Sequence, residues 1–226
     1  MEPSSDSIWI VLELASSDST VIRLSIAHRI AFPPYTIKCS PKRITFAGAE
    51  KTVFENASGA DTASCTYGGI MEYTKQGTKN LNLNPKFQLV IANSKITHST
   101  SEVVSRVKQF KEKHSDEFSV LCQNESSLIE EALDALKKND LGKIGEKMII
   151  NQTHLQKIGV SNQILDSMVK SIKDVSYGAK LTGAGDGGCI VVLVDESNLK
   201  NTLDALADYE CFATKIDTEG VEQKMA

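Results

Sequence analysis

Between Ile8 and Leu14 the chain reads Ile-Trp-Ile-Val-Leu-Glu-Leu, a short apolar run rich in β-branched residues that predicts a strand. The spacing then changes. From Ser16 to Phe32, Val21, Leu24, Ala27 and Ala31 recur at intervals of three and four, which predicts a helix stopped by Pro33-Pro34. Arg43 to Glu55 predicts another helix. Residues 58–67 predict a short one, capped by Ser58 with Asp61 three residues on and stopped at Gly68-Gly69. Ile70 to Tyr73, Leu81 to Leu83 and Phe87 to Ala92 predict strands, the first two joined across Lys75-Gln76-Gly77. Helices follow over Ser101 to Phe118, residues 125–138, Leu141 to Leu155, and Ile164 to Ile172 after a Ser161 cap. A glycine-dense stretch, Gly183 to Gly188, then feeds a strand at Cys189 to Val194. A helix carrying Leu199, Leu203 and Leu206 and a strand from Glu210 to Ile216 complete the pattern. From residue 70 onward the order is three strands, four helices, then β-α-β. Such segregated blocks predict an α+β fold, a sheet with helices on one face. The tail from Glu219 is expected to be loose.

Composition narrows the classes. The 226 residues suit one large domain or two small ones, and 41% apolar with 24% charged fits a folded chain outside the membrane. Lys and Arg number 25 against 29 Asp and Glu, a net charge of −4, so no general pull toward nucleic acid or anionic lipid is expected. Five scattered cysteines, with no Cys-x-x-Cys pair, predict reduced thiols in a cytoplasmic protein rather than a disulfide frame or zinc site. No apolar run approaches ~18 residues, so no transmembrane helix is expected. Met1-Glu-Pro-Ser-Ser-Asp lacks the basic start of a signal peptide. His28, His98, His114 and His154 show no metal-ligand spacing and read as polar surface or part-buried residues.

Two segments carry candidate chemistry. In Asn56-Ala-Ser-Gly-Ala-Asp-Thr-Ala-Ser-Cys-Thr-Tyr-Gly-Gly69, Asp61 falls in the first turn of a short helix. It fits either a stabilising capping-box acid or a carboxylate aimed at a substrate hydroxyl. A free Asp, with a pKa of ~3.9, is a weak base, so in the second role it orients the hydroxyl and accepts its proton late. The second segment is Lys180-Leu-Thr-Gly-Ala-Gly-Asp-Gly-Gly-Cys189. Its glycines permit backbone conformations closed to side chains and allow close approach of an anion or another segment. A tight structural loop feeding a strand is the alternative. The letters satisfy G-x-G-x-x-G, but a dinucleotide fold places those glycines after a strand and before a helix.

Taken together, the two segments resemble the mevalonate kinase branch of the GHMP small-molecule kinase superfamily. That family carries Gly-Asn-Pro-Ser-Gly-Val/Ile-Asp-Asn leading to aromatic-Gly-Gly, and Lys-Leu-Thr-Gly-Ala-Gly-Gly-Gly-Gly-Cys. The similarity continues through Phe87 to Lys95, His98-Ser-Thr100, and Asn151 to Val160. The resemblance implies a two-domain α+β architecture. Residues 1–60 would be a reduced remnant of the ATP-side domain, 61–218 a ferredoxin-like carboxy-terminal domain with added helices, and 219–226 a tail. It implies Mg²⁺-dependent transfer of the ATP γ-phosphate to the 5-hydroxyl of mevalonate, in isoprenoid and sterol synthesis, by a cytoplasmic enzyme; a homodimer fits the family's habit. Asp61 matches the catalytic aspartate and Glu50 the magnesium-binding glutamate. Thr100 matches a substrate-side threonine, a buried capping threonine being the alternative. Gly183, Gly185, Gly187 and Gly188 match the loop shaping the phosphate-transfer site.

Departures are as informative. The family's Pro-x-Lys-x-x-Leu-x-Gly-Glu-His strand has no counterpart, so no lysine partner for Asp61 can be named. Of its Pro-x-x-x-Gly-Leu-Gly-Ser-Ser-Ala loop only Leu14-Ala-Ser-Ser-Asp-Ser19 remains. There Ser17 matches the serine that binds ATP and magnesium, or else serves as a serine-rich helix cap. Asp186 stands where the second motif has glycine and sets a carboxylate against phosphate. Two readings therefore stand beside mevalonate phosphorylation: another GHMP kinase, acting on phosphomevalonate or a sugar, or a catalytically impaired short isoform or pseudokinase working through a partner.

Overall fold

The computed structural model describes residues 6–15, 20–30, 67–74, 77–97 and 99–216, which form two antiparallel sheets and five helices. The first sheet is a meander of β1 (Asp6–Ala15), β2 (Thr20–Ile30), β3 (Ile70–Thr74) and β4 (Gly77–Asn80), in that order. The helix expected over Ser16 to Phe32 is therefore a strand along most of its length. Ile22, Leu24, Ile26 and Ile30 alternate with Arg23, Ser25 and Arg29, and this period of two prevails over the weaker spacing of three and four. β-Branched residues reinforce it. β2 pairs along the whole of β1, from Ala15↔Val21 to Asp6↔Ile30. The strand expected at Leu81 to Leu83 also moves. The hairpin closes at Thr74↔Gly77 across two residues, so β4 lies earlier. Leu81 and Leu83 instead pack, partly buried, on the core. The helices expected at 43–55 and 58–67 lie essentially outside the described residues.

The second sheet holds β5 (Gln88–Asn93), β6 (Gly178–Thr182), β7 (Cys189–Val194) and β8 (Glu210–Thr214) in the order β6-β7-β5-β8, every pair antiparallel. Both crossovers, β5 to β6 and β7 to β8, skip one strand. That is the split βαβ arrangement of a ferredoxin-like fold, as the family resemblance implied. Four helices occupy the first crossover: α1 (Thr100–Lys113), α2 (Ser115–Lys138), α3 (Leu141–Lys157) and α4 (Gln163–Ser171). The second holds α5 (Leu199–Ala205). The expected break near residues 119–124 falls instead at His114, which stacks on Phe110 with ring centroids 4.9 Å apart while α2 runs unbroken for 24 residues. Residues 115–138 contain neither Gly nor Pro to interrupt it. Asn162, not Ser161, caps α4, accepting from the amides of Ile164 and Leu165 at 3.0 and 2.9 Å.

Helices cover both faces of this sheet, not one. Leu89, Ile91, Val191 and Leu193 pack against Leu128, Ile129, Ala132, Ile144 and Met148 of α2 and α3. The alternate residues Val90, Ala92, Ile190 and Val192 pack against Val103, Leu165, Met168 and Leu206 from the other side. Hence β5 and β7 read as unbroken apolar runs, because each of their faces is buried. α3 crosses β6 at backbone distance. A Cβ on Gly145 would lie 2.0 Å from the Tyr177 carbonyl oxygen, and one on Gly178 2.3 Å from that of Gly145.

At the far end of the sheet, Asp195 accepts from the Tyr177 hydroxyl at 2.7 Å and the Ser197 hydroxyl at 2.6 Å. These bonds, Ser197's first and Tyr177's second, hold its carboxyl below the usual range. A depressed folded-state pKa adds stability above the ordinary value of ~3.9 and loses it as pH falls through the folded value. Asp195→Ala should therefore cost about 1–2 kcal/mol at pH 7. The difference from the native chain should close in urea titrations carried below the carboxylate range.

Candidate functional site

The glycine loop joins β6 to β7. Gly183, Gly185, Gly187 and Gly188 have φ of 80°, 90°, 152° and 71°, the region side chains disfavour. For two of them space is decisive as well. A Cβ on Gly185 would stand 2.1 Å from the Val160 carbonyl oxygen, and one on Gly187 2.5 Å from that of Ile96. The loop is pinned by its neighbours. The Asp186 amide donates to the Val160 carbonyl at 2.7 Å, the Gly188 amide to that of Ile96 at 3.1 Å, and Ser94 donates to the Gly188 carbonyl at 2.8 Å. Among the described residues, no acceptor takes the amides of Gly183, Ala184, Gly185 or Gly187. A rigid loop with four unclaimed amides is chemically suited to phosphate oxygens, so the described part fits a nucleotide's phosphates.

Elements around the loop hold it from below. Gln152 of α3 accepts from the Leu181 amide on the edge of β6 at 2.8 Å and donates to Ser161 and Asp166 at 3.1 and 3.3 Å. Ser161 donates to Asp166 at 2.6 Å, fixing the turn that carries Val160. Asn151 donates to buried Glu125 at 2.9 Å, and His154 contacts the other oxygen of that carboxylate. The bland reading of His154 thus stands, as a part-buried polar partner. The Cys189 thiol, where the loop enters β7, is pushed up by burial first and by Glu210 second, which disfavours a reactive thiolate there.

The remaining predicted residues divide. Thr100 is the exposed first residue of α1, four positions beyond the Ile96 carbonyl that receives the loop. It is not a buried cap, because Ser99 caps α1 by accepting from Glu102 at 3.4 Å. Asp61, Glu50 and Ser17 lie outside the described residues. Among the described residues, no group of three His, Cys, Asp or Glu could hold a metal, so a magnesium site rests on Glu50 and Ser17 by resemblance alone. No described helix is long and apolar enough to cross a membrane.

Asp186 is the surprise. Its φ of 59° keeps the left-handed turn expected of glycine, which Asp tolerates better than most residues. Its carboxylate accepts from Arg106 on α1 at 2.8 Å, and the same guanidinium donates to the Gly159 carbonyl at 3.0 Å. Nothing in the sequence singled out Arg106, which is 80 residues away. A separate cavity of about 510 Å³, lined by Lys86, Gln88, Asp195, Glu196 and Lys215 among others, opens at the opposite end of the sheet and has no part in this loop.

Residues 132–210 match the family described as GHMP kinases C terminal. The mevalonate kinase of Methanocaldococcus jannaschii is 34% identical over 164 residues, covering 70% of this chain and 50% of that protein. That of Candida albicans is 33% identical over 193 residues, covering 76% and 44%. In fold, the chain is similar to the L. major mevalonate kinase solved with R-mevalonate, with a TM-score of 0.78 over 95% of this chain and 97% of that one, at 17% identity. The chain spans about half the length of the curated relatives it matches. The glycine loop, the ferredoxin-like sheet and these relatives agree in what the chain is similar to: the GHMP kinases, through residues 132–210, and among them the mevalonate kinases.

Proposed function

We propose that the chain transfers the ATP γ-phosphate to the 5-hydroxyl of mevalonate. The observation that carries this reading is the glycine loop, whose four unclaimed amides face no acceptor among the described residues while its remaining backbone is tied to Val160, Ile96 and Ser94. Such amides favour negative charge on oxygen without reorganising as it develops. Thr100, at the start of α1 just beyond the segment that receives the loop, would contact mevalonate. Asp61 would orient the accepting hydroxyl and take up its proton as bonding to phosphorus grows. Glu50 and Ser17 would hold magnesium, which when bound neutralises phosphate charge. In this reading residues 1–60 are a reduced remnant of the ATP-side domain and 61–218 the carboxy-terminal-type domain, whose β3 and β4 extend the sheet that β1 and β2 begin. Turnover would be well below the ordinary ~10 s⁻¹, because no lysine motif accompanies Asp61.

ADP release by the purified chain, with ATP, magnesium and R-mevalonate, tests this. Slow release that depends on mevalonate supports it; release at the same rate with and without mevalonate sinks it. The carboxylate at Asp186 favours a second reading, a catalytically impaired protein that keeps the fold and acts through a partner. Complete lack of turnover, with nucleotide still bound, would select it.

A further inference from the structure

Arg106 and Asp186 join three segments into a closed ring. The guanidinium donates to the Gly159 carbonyl at 3.0 Å and to the Asp186 carboxylate at 2.8 Å. The Asp186 amide returns to the Val160 carbonyl at 2.7 Å. Arg stays protonated under all ordinary conditions, and Asp186, by its hydrogen bond first and its charge second, strengthens that state. As a surface ion pair, with side-chain exposures of 43% and 32%, it should add little to stability. Its consequence is electrostatic instead, because it cancels a negative charge within the loop that is to receive phosphates.

We infer that Arg106 is a positioning residue of the phosphate site: it neutralises and holds Asp186, so the loop accepts a polyphosphate despite a carboxylate where the family motif has glycine. This rests on the phosphotransfer reading. Arg106 acts through Asp186, not by gripping the anion, and the two substitutions should therefore be strongly non-additive.

Isothermal titration of Mg-ATP into the full 226-residue chain tests it, comparing native protein with Arg106→Ala, Arg106→Lys, Asp186→Gly and the double variant. Arg106→Ala should weaken binding about tenfold or more, whereas the same change in the Asp186→Gly background should alter it by less than about threefold. Arg106→Lys should keep most of the affinity, and melting temperatures should barely move. Equal losses in both backgrounds would show Arg106 holding the anion directly and would overturn the inference. No loss in either background would also overturn it. If no protein binds Mg-ATP, Asp186→Gly included, the phosphotransfer reading falls and takes the inference with it. If Asp186→Gly binds Mg-ATP but Arg106→Ala leaves the affinity of the native chain unchanged, the inference alone falls.

Discussion

Gly145→Ala is expected to destabilise the domain by at least ~3 kcal/mol, although alanine is the better helix former by ~0.8–1.0 kcal/mol. Gly145 lies within α3 where the helix meets β6, and its Cβ would stand 2.0 Å from the Tyr177 carbonyl oxygen and 2.3 Å from its carbon. Both sides of that contact are backbone, so no side chain can turn away. Either α3 lifts from the sheet or β6 shifts, and the glycine loop that β6 carries shifts with it. For a domain of this size the loss corresponds to about 6–12 °C in melting temperature. Gly142→Ala is the control. It lies in the first turn of the same helix, where a Cβ would meet only Asp140 Oδ1 at 3.6 Å. There helix propensity should win, leaving stability unchanged or slightly raised. Equal melting of the native chain and Gly145→Ala would show that α3 and β6 leave room for a Cβ at their crossing.

Asp61→Asn should have the largest effect on chemistry, a fall of about 10²–10⁴ in kcat, the range of general-base catalysis. The amide keeps the shape of the carboxylate but cannot accept the hydroxyl proton. Circular dichroism and melting should be unchanged, which separates a chemical loss from a folding one. If Asp61 is only a capping-box acid, the pattern reverses, with a modest loss of stability and no change in turnover.

Much of the fold was legible in the chain, and the failures have physical causes. The runs Leu89 to Ala92 and Ile190 to Val194 marked central strands. Read more closely, their lack of alternation also announced helices on both faces, which the block order of elements concealed. β2 carried two periodicities at once, and pairing along the whole of β1 selected the period of two. β6 carries no strand signal of its own, because Gly178-Ala179-Lys180-Leu181-Thr182 is neither apolar nor alternating by letter. It is a strand because β7 pairs with it and Gln152 takes up its edge amide at Leu181. In the site, the need for Gly185 and Gly187 was readable as glycine density, although the carbonyls that enforce it, at Val160 and Ile96, were not. Arg106 was invisible, since an ion pair between residues 80 apart leaves no local signature. The expected clash of Asp186 with phosphate was sound for an isolated charge and omitted the cation that the fold brings beside it.

Phosphorylation of mevalonate is read more directly from its product than from the fate of ATP. Incubating the native chain and Asp61→Asn with R-mevalonate, ATP and magnesium, and following phosphorus by NMR, separates transfer to the sugar-free alcohol from hydrolysis. A slowly growing phosphate monoester on the 5-oxygen of mevalonate is expected with the native chain, and none with Asp61→Asn. Inorganic phosphate alone, or the same ester from both proteins, would contradict it.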